Sequence, residues 1–453
     1  MLKGETQMAD KTIKGAIKRE HIKKYRDKLD NDPMFRVAMN AVTNGNLQDI
    51  ALNRDVLNRD SWKFSHEVEE KPDISDQKRS GTCWLFAELN WMRLMTMKKF
   101  KIKKLEFSEN YLMFYDKLEK ANYYLEKLLT MVDRDIDDRR VRFILDGPTP
   151  DGGEWHMVVN LIKKYGLVPK EVMPCTWNRE QSRFINELVG YKIREAFAGM
   201  RDLAKAKKSE IQIREYKTEK MGEIYRILTT CMGVPPKKFD WSYRDSDKEY
   251  HQEVGISPQE YYEKYVGVDL DKCYTLASCP THNTEFGKTY TIELFGNMID
   301  GDEWKWLNVK TSEMKKIAIK MLKKGEAVLY GCDVSQESHT KVGFMDRDVY
   351  NYDLLFQTEF GMNKEERLSY GQSRLTHSMV ITGVELVDNK PVRWKIENSW
   401  GGEVGKKGYF IMTDEWFDEH VLDLIVEEKY MPKKLLEQFS QEPIVLPPWH
   451  VMA

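Results

Sequence analysis

Cys83 is the residue of this chain whose type and surroundings could do covalent chemistry. It follows the small-residue loop at 80–82 and opens an apolar run. Apolar residues then recur at the spacing of one helical face, at Leu85, Leu89, Met92 and Met95. The pattern predicts a helix that begins near Cys83, where unpaired N–H groups and the helix dipole favour a nucleophilic thiolate. The alternative interpretation is a small buried hydrophobe, the usual role of a lone cysteine.

Two distant segments supply partners for such a sulfur. His377 opens the apolar, β-branched run 377–383, which predicts a buried strand, and a second, half-buried strand is predicted to end at Asn398. A thiolate needs an adjacent imidazole to hold the ion pair and to protonate the leaving amine. The imidazole needs a third group, such as an amide oxygen, to fix its tautomer. Taken separately, His377 is more often a satisfied polar group and Asn398 part of a turn.

The order of these motifs resembles that of papain-like cysteine peptidases, and within them the aminopeptidase C and bleomycin hydrolase family. Six segments carry the resemblance, and they lie at residues 77–84, 151–155, 294–298, 376–379, 397–401 and 412–417. The likeness extends from about residue 35 to the end of the chain.

The resemblance implies a role for each motif residue. Cys83 would be the nucleophile and His377 the general acid/base, with Asn398 orienting the imidazole. The Gln77 side chain and the Cys83 backbone N–H would form the oxyanion hole. An amide N–H₂ group suits that role, because it stabilises a tetrahedral oxyanion without titrating.

Further residues are implied to hold the substrate. Gly152 and Gly153 match the glycines that hydrogen-bond a substrate backbone, and without a Cβ they allow close approach. Alone, Asp-Gly-Gly is equally typical of an ordinary loop. In the family a C-terminal arm lies in the cleft and its carboxylate pairs with the substrate α-ammonium, which assigns substrate binding to Ala453. Here Trp449 is followed by only His-Val-Met-Ala, a shorter tail than is common, so endopeptidase or oligopeptidase activity is the alternative.

The fold implied by the resemblance is α+β and papain-like, with a helical lobe, a β-barrel-like lobe, a large helical insertion and a C-terminal arm. His377 lies 294 positions after Cys83, whereas compact papain-type enzymes separate the two residues by about 130–150 positions. We therefore expect an inserted segment. The predicted domains are an N-terminal helical arm (1–65), a helical catalytic lobe (66–177), an inserted helical oligomerisation subdomain (178–275), a strand-rich catalytic lobe (276–440) and the C-terminal arm in the cleft (441–453).

Composition argues against several function classes. The 453 residues carry 71 Lys+Arg and 73 Asp+Glu, so no global charge favours nucleic acid or a membrane surface as partner. No apolar run approaches the length of a transmembrane helix. Lysines at 201–220 leave nucleic-acid binding as a remote alternative, although acidic residues alternate with them and favour a solvated helix face.

The cysteines indicate a reducing compartment. Six of them are spread along the chain without the spacing of a disulfide framework, which predicts free thiols and a cytoplasmic location. Cys273 and Cys279 have no Cys/His set to complete a zinc site, so neither a metal nor a cofactor is predicted. The N-terminus lacks the apolar core of a signal peptide, and either Met1 or Met8 could be the natural start.

The sequence thus predicts a cytoplasmic cysteine aminopeptidase that hydrolyses peptide bonds at the N-terminus of peptides through an acyl-enzyme. The resemblance also implies a homohexamer. A transglutaminase-like acyl transferase shares the Cys–His chemistry, but a Gln before the cysteine and an Asn as third residue fit peptidases better.

Overall fold

The computed structural model describes residues 14–59 and 62–453. The two candidate start residues, Met1 and Met8, lie outside the described residues. The helices are α1 (Arg19–Leu29), α2 (Pro33–Val42), α3 (Leu47–Ala51), α4 (Arg54–Arg59), α5 (Cys83–Phe100), α6 (Glu109–Leu129), α7 (Arg139–Asp146), α8 (Trp155–Tyr165), α9 (Trp177–Glu180), α10 (Arg183–Lys205), α11 (Glu210–Met232), α12 (Pro258–Tyr261), α13 (Thr311–Leu322), α14 (Tyr352–Phe356), α15 (Lys364–Ser369), α16 (Asp414–His420) and α17 (Lys433–Phe439). The strands are β1 (His66–Glu67), β2 (Phe239–Arg244), β3 (Tyr250–Ile256), β4 (Cys273–Ala277), β5 (Thr289–Ile292), β6 (Trp306–Asn308), β7 (Val328–Cys332), β8 (Ser338–His339), β9 (Phe344–Met345), β10 (His377–Val387), β11 (Lys390–Glu397), β12 (Tyr409–Thr413), β13 (Val421–Glu427) and β14 (Ile444–Leu446).

The chain packs into two units, of which the smaller contains residues up to Asp55 together with 350–361. Its described part is helical, with α1, α2, α3 and α14. The side chain of Asp32 caps α2 by accepting the backbone N–H groups of Met34 and Phe35, and Pro33 occupies the first helical position. The N–H of Asn351 donates to the carbonyl of Ala51 at 2.8 Å, which joins the two chain segments.

The larger unit contains residues 56–349 and 362–453 and is built on one mixed sheet. Among the described residues the sheet has 12 strands in the order β14-β5-β6-β4-β13-β7-β10-β11-β12-β9-β8, with β1 paired to β10. His377, the first residue of β10, pairs with Cys332 on β7. Val380 pairs with Glu397, the last residue of β11, so Asn398 follows directly at the strand end. Both predicted strands therefore exist.

Helix α5 begins at Cys83, as the apolar run predicts. It packs against β7 and β10 of the sheet and against α6 and α8. Nearly all of its residues are consequently buried, and the predicted apolar face accounts for only part of that burial. A stripe pattern presupposes a helix with one solvated side, whereas α5 is enclosed on most sides.

The segment 178–275 differs from the predicted helical insertion. Helices α10 and α11 pack together, and each spans 23 residues. They are followed by the hairpin β2–β3, whose strands alternate buried and exposed residues. Polar residues occupy the exposed positions of β2, at Asp240, Ser242 and Arg244. The division into five domains remains a prediction.

The C-terminal segment docks through two elements. Strand β14 runs parallel to β5, and the N–H of Glu293 donates to the Leu446 carbonyl at 2.9 Å. Leu446 and Met452 are buried in a small hydrophobic cluster around Trp304 and Trp306. Ile444, Val445 and Trp449 of the same segment are exposed.

None of the helices in residues 14–59 and 62–453 combines the length and apolar character that crossing a bilayer requires.

A buried ion pair joins the helix of Cys83 to the strand that precedes Asn398. Arg93 Nη2 on α5 lies 2.6 Å from Glu397 Oε1 on β11, and the two side chains are 1% and 0% exposed. Burial raises the pKa of the Glu397 carboxyl, and Arg93 opposes that rise. Two guanidinium nitrogens of Arg93 have no hydrogen-bond partner among the described residues. Glu397 is therefore the main group that compensates the buried charge of Arg93.

We expect Arg93→Met to lower the free energy of unfolding by about 3–5 kcal/mol, because it leaves a buried carboxylate unpaired. The double variant Arg93→Met/Glu397→Leu should recover much of that loss. Urea unfolding measures both. Arg142→Met removes an exposed pair with Asp146 and serves as the control, with an expected change below about 1 kcal/mol. A single variant as stable as wild type would contradict the assignment of this pair as a structural contact.

Candidate active site

One cavity of about 630 Å³ brings together most of the predicted site residues. Cys83, His377, Gly152, Gly153 and Ala453 all line it. Gln77 and Asn398, the other two predicted residues, are buried and contact the same region through hydrogen bonds described below. Residues that are 294 positions apart in sequence are therefore neighbours in the fold.

Cys83 occupies the first position of α5, directly after the N-cap residue Thr82. Its N–H group has no acceptor within the helix, as for any first-turn residue. Cys83 is buried, with 9% of its surface exposed, and its Sγ lies 4.0 Å from the carbonyl oxygen of Thr376, the residue before His377. The sulfur thus faces the start of β10.

Burial controls the charge of both reactive groups. It raises the pKa of the Cys83 thiol to about 11 and lowers the pKa of His377 to about 4. Taken singly, each group is neutral at neutral pH, so the helix position alone does not hold the sulfur as a thiolate. Transfer of the thiol proton to the imidazole is different, because it creates two opposite charges and no net charge.

The hydrogen bonds of Asn398 fix the tautomer of His377. Asn398 Oδ1 lies 2.9 Å from His377 Nε2 and also accepts the backbone N–H of Ser399 at 2.7 Å. A backbone N–H can only donate, so the atom facing it is the amide oxygen, and Nε2 must carry the proton. Nδ1 is then the basic nitrogen. Trp400 stacks on the imidazole with centroids 4.7 Å apart and covers this contact.

Gln77 connects the loop before Cys83 to the loop after Asn398. Its Nε2 donates to the Ser80 carbonyl at 2.8 Å, and its Oε1 accepts the Ser399 hydroxyl at 2.8 Å. Its backbone N–H donates to the Ser399 carbonyl at 2.8 Å. The amide orientation is therefore fixed, and one of its two N–H groups is left for another acceptor.

The two glycines differ in their surroundings. A Cβ at Gly153 would lie 2.7 Å from the indole of Trp84, so the packing of the residue next to Cys83 requires glycine there. A Cβ at Gly152 would meet nothing within 4 Å. A substrate backbone could therefore approach Gly152 closely. At Gly153 the Trp84 indole already fills the space that a side chain would take.

A mostly covered carboxylate, Asp151, holds the glycine loop against the cysteine loop. Asp151 Oδ1 accepts from Lys117 Nζ at 2.7 Å, and Asp151 Oδ2 accepts the N–H of Gly81 at 3.1 Å. Ser182 and Asn186 donate to the same carboxylate. Burial opposes its ionisation, but Lys117 and the hydrogen bonds outweigh burial and lower the pKa of Asp151.

Lys120 adds a second contact to the same loop. Its Nζ donates to the Gly152 carbonyl at 2.6 Å and pairs with Asp116 at 2.9 Å. The Trp84 indole N–H donates to the Asp151 carbonyl at 2.7 Å. Sequence reasoning missed Lys117 and Lys120. Their position on the apolar side of α6 was the available signal, because lysines are rarely buried without a partner.

The C-terminal segment lies along the cavity. Pro448, Trp449, His450 and Val451 line it together with Ala453. The N–H of Leu375 donates to the Val451 carbonyl at 3.2 Å, and the guanidinium of Arg139 lies 3.4 Å from the Trp449 ring centroid. The segment is therefore held at two points, at Val451 by a hydrogen bond and at Trp449 by the Arg139 guanidinium.

Comparison with known proteins identifies the family of this chain and several of its relatives. Residues 16–453 match the Peptidase C1-like family. The chain is 39% identical to aminopeptidase C of Lactobacillus delbrueckii subsp. lactis over 435 residues, which cover 95% of this chain and 96% of that protein. It is 38% identical to bleomycin hydrolase of Homo sapiens over 434 residues, covering 94% and 95% respectively. The crystal structure of PepW from Lactobacillus rhamnosis HN001 matches with a TM-score of 0.95 at 42% identity, over 97% of this chain and 99% of that one. The predicted α+β, papain-like fold class is confirmed.

We expect Lys117→Met to lower the free energy of unfolding at pH 7 by about 3 kcal/mol, because Asp151 stays buried without its cation. Burial then acts on Asp151 with less opposition and raises its pKa in the folded variant. Stability carried by a raised pKa increases as pH falls, so the deficit should narrow towards pH 5. Urea unfolding at both pH values measures this. Lys127→Met, on the same helix, is the control, and equal deficits in the two variants would contradict the proposed contact.

Proposed function

This chain belongs to the Peptidase C1-like family, and from that premise we propose that it is a cysteine aminopeptidase that hydrolyses peptide bonds at the N-terminus of peptides. The similarity to aminopeptidase C over nearly the whole of both chains supports this activity. The observation that carries the proposal is the shared cavity. Cys83 and His377 line it, and the C-terminal segment lies along it.

In the proposed reaction, His377 Nδ1 takes the proton from Cys83 Sγ and the sulfur attacks the peptide carbonyl carbon. The oxyanion that forms accepts hydrogen bonds from the free N–H of the Gln77 amide and from the Cys83 N–H. Loss of one donor of this kind typically lowers the rate about 10²–10³-fold. Both donors belong to groups that the fold already holds in place, so no reorganisation is needed in the transition state.

The intermediate then collapses to an acyl-enzyme. The C–N bond breaks as the imidazolium of His377 gives its proton to the leaving amine. Water next attacks the thioester while His377 takes its proton, and the S–C bond breaks to restore the thiol. Asn398 keeps Nε2 protonated throughout, so that Nδ1 can accept and return the proton.

Substrate binding is proposed for Gly152, Gly153 and Ala453. The Gly152 backbone borders open space and suits an extended peptide. Ala453 is exposed at the cavity, and a carboxylate there would pair with the α-ammonium of the substrate. That pairing would favour peptides with a free N-terminus.

We propose a cytoplasmic location and no nucleic-acid partner. All six cysteines are free thiols, which suits a reducing compartment. Three of the lysines that left DNA binding open have acidic partners. Lys217 pairs with Glu126, Lys220 pairs with Glu223, and Lys205 lies 3.7 Å from Asp202. The Lys217 and Lys220 side chains are also largely covered, so they offer little positive surface to a nucleic acid.

We also propose self-association, as a homohexamer by family resemblance, through the outer face of α10. Phe184, Leu188 and Tyr191 recur at steps of four and three, so they share one face of the helix. They are 54%, 51% and 68% exposed. Large apolar residues clustered on a solvated helix face are typical of a subunit interface.

The double variant Phe184→Glu/Tyr191→Glu should dissociate the oligomer, because two charges would be buried in an apolar contact. Sedimentation velocity measures the change. Lys205→Glu, exposed near the end of the same helix, should leave the assembly unchanged. An assembly of wild-type size in the double variant would show that this face is not the interface.

The terminus preference is tested with an aminoacyl reporter amide and its N-acetylated counterpart. We expect the free amine to be cleaved at least about 10-fold faster, since an ion pair with the α-ammonium contributes about 1.5–3 kcal/mol. Cys83→Ala should cleave neither. Equal cleavage of both by wild type would support the endopeptidase alternative, and turnover by Cys83→Ala would contradict the nucleophile assignment.

A further inference from the structure

Three carboxyl groups without a cationic partner lie beside the active-site cavity. Glu154 lines the cavity together with Cys83. Glu88 lies on α5 and Asp423 on β13, and the charges of both act on Glu154. None of the three forms a salt bridge within the part of the chain that the structure describes. This contrasts with Asp151, which is surrounded by donors.

The backbone places Asp423 under the cavity floor. Asp423 pairs with Gly331 on β7, and Gly331 pairs on its other side with Ser378, the residue after His377. A Cβ at Gly331 would lie 2.6 Å from Asp423 Oδ1 and 2.7 Å from a methyl carbon of Leu375. Ser378 and Leu375 both line the cavity. The missing side chain of Gly331 thus makes room for the carboxylate next to the reaction centre.

Glu88 adds a second observation, a buried carboxylate oxygen without a donor. Its side chain belongs to a residue that is 2% exposed, and its Oε2 has no hydrogen-bond partner among the described residues. A buried carboxylate oxygen left without a donor is strongly unfavourable. The charges of Glu88 and Asp423 repel each other, and both act on Glu154.

Burial and mutual repulsion determine how readily the three carboxyl groups ionise. They raise the pKa values of Glu88 and Glu154, and burial raises the pKa of Asp423 to about 7. The three carboxyl groups therefore ionise less readily than carboxyl groups in water. A cation that enters beside Glu154 would favour the ionised carboxylates, so that binding and ionisation support each other.

We propose that Glu154, with Asp423 and Glu88 behind it, binds a cationic ammonium or guanidinium group of the peptide substrate. This inference rests on the proposed peptidase function and extends it to substrate selection. The cation has two possible sources on a peptide, the α-amino group and a lysine or arginine side chain near the cleaved bond. The cavity wall suits the apolar stem of such a residue, since it includes the aromatic residues Trp84, Tyr124, Phe143 and Phe295.

Such binding would also act on the nucleophile. Burial is the main cause of the raised pKa of Cys83, and the negative charge of Glu154 adds to it. A cation bound at Glu154 would cancel that repulsion and favour ionisation of the sulfur. The charge of the substrate would then raise kcat as well as lower KM.

The test compares wild type with Glu154→Gln on two pairs of reporter amides. One pair differs only in a free or acetylated α-amine. The other pair consists of N-acetylated dipeptide reporter amides. They differ only in lysine or norleucine at the first residue, which precedes the residue whose carbonyl is attacked. We expect the variant to lose about 10–100-fold in kcat/KM for the charged member of one pair and little for its neutral counterpart. Which pair responds identifies the source of the cation.

Glu403→Gln removes an exposed carboxylate outside the cavity and should change neither pair. An equal loss on charged and neutral substrates, or no loss, in Glu154→Gln would overturn the inference. Residual turnover that still requires Cys83 would leave the proposed peptidase function intact in either case.

A second measurement uses wild type alone and does not depend on the folding of a variant. N-acetyl-lysine amide and N-acetylnorleucine amide are compared as protectants of Cys83 against alkylation by iodoacetamide. If the side chain is the source, we expect at least about 10-fold stronger protection by the lysine compound. If the α-amine is the source, norleucine amide should protect better than its acetylated form. Equal protection within both pairs contradicts the proposal.

Discussion

The buried Arg93–Glu397 ion pair fixes the helix that begins at Cys83 against the strand that ends before Asn398. Cys83 and His377, the proposed nucleophile and base, come from chain segments far apart, so their mutual position depends on the contact between α5 and the sheet. Gln77 and Ser399 add a second link at the other end of this contact. Charges with no access to water keep their partners in one geometry, because any separation leaves a buried charge unpaired.

Local sequence was sufficient to predict those parts of the site that depend on the ends of single elements. The small-residue loop and apolar run place Cys83 at a helix start, and the β-branched run places His377 at a strand start. The partners of Lys117 could not be predicted, because Asp151 lies 34 positions away on a loop whose path depends on tertiary packing. The same limit applies to the hairpin β2–β3 and to the full enclosure of α5.

Burial also determines the chemistry in a way that the helix position alone does not reveal. The dipole and N–H groups at the start of α5 favour a thiolate, yet desolvation of Cys83 is the larger effect. Desolvation likewise keeps His377 neutral. A site of this kind stores the nucleophile as a thiol and forms the ion pair by an internal proton transfer, whose products carry no net charge. Its reactivity then depends on every other charge within reach of the sulfur.

A carboxylate at Ala453 and the carboxylate of Glu154 would both bring negative charge to the cavity, and they differ in their surroundings. Ala453 is exposed at the end of the C-terminal segment, so water and salt weaken a carboxylate there. Glu154 is backed by the buried Glu88 and Asp423, where screening is smaller. An anion at Ala453 would mainly restrict which end of a peptide enters. Charge at Glu154 acts on Cys83 as well, so a cation bound there would couple substrate recognition to ionisation of the sulfur.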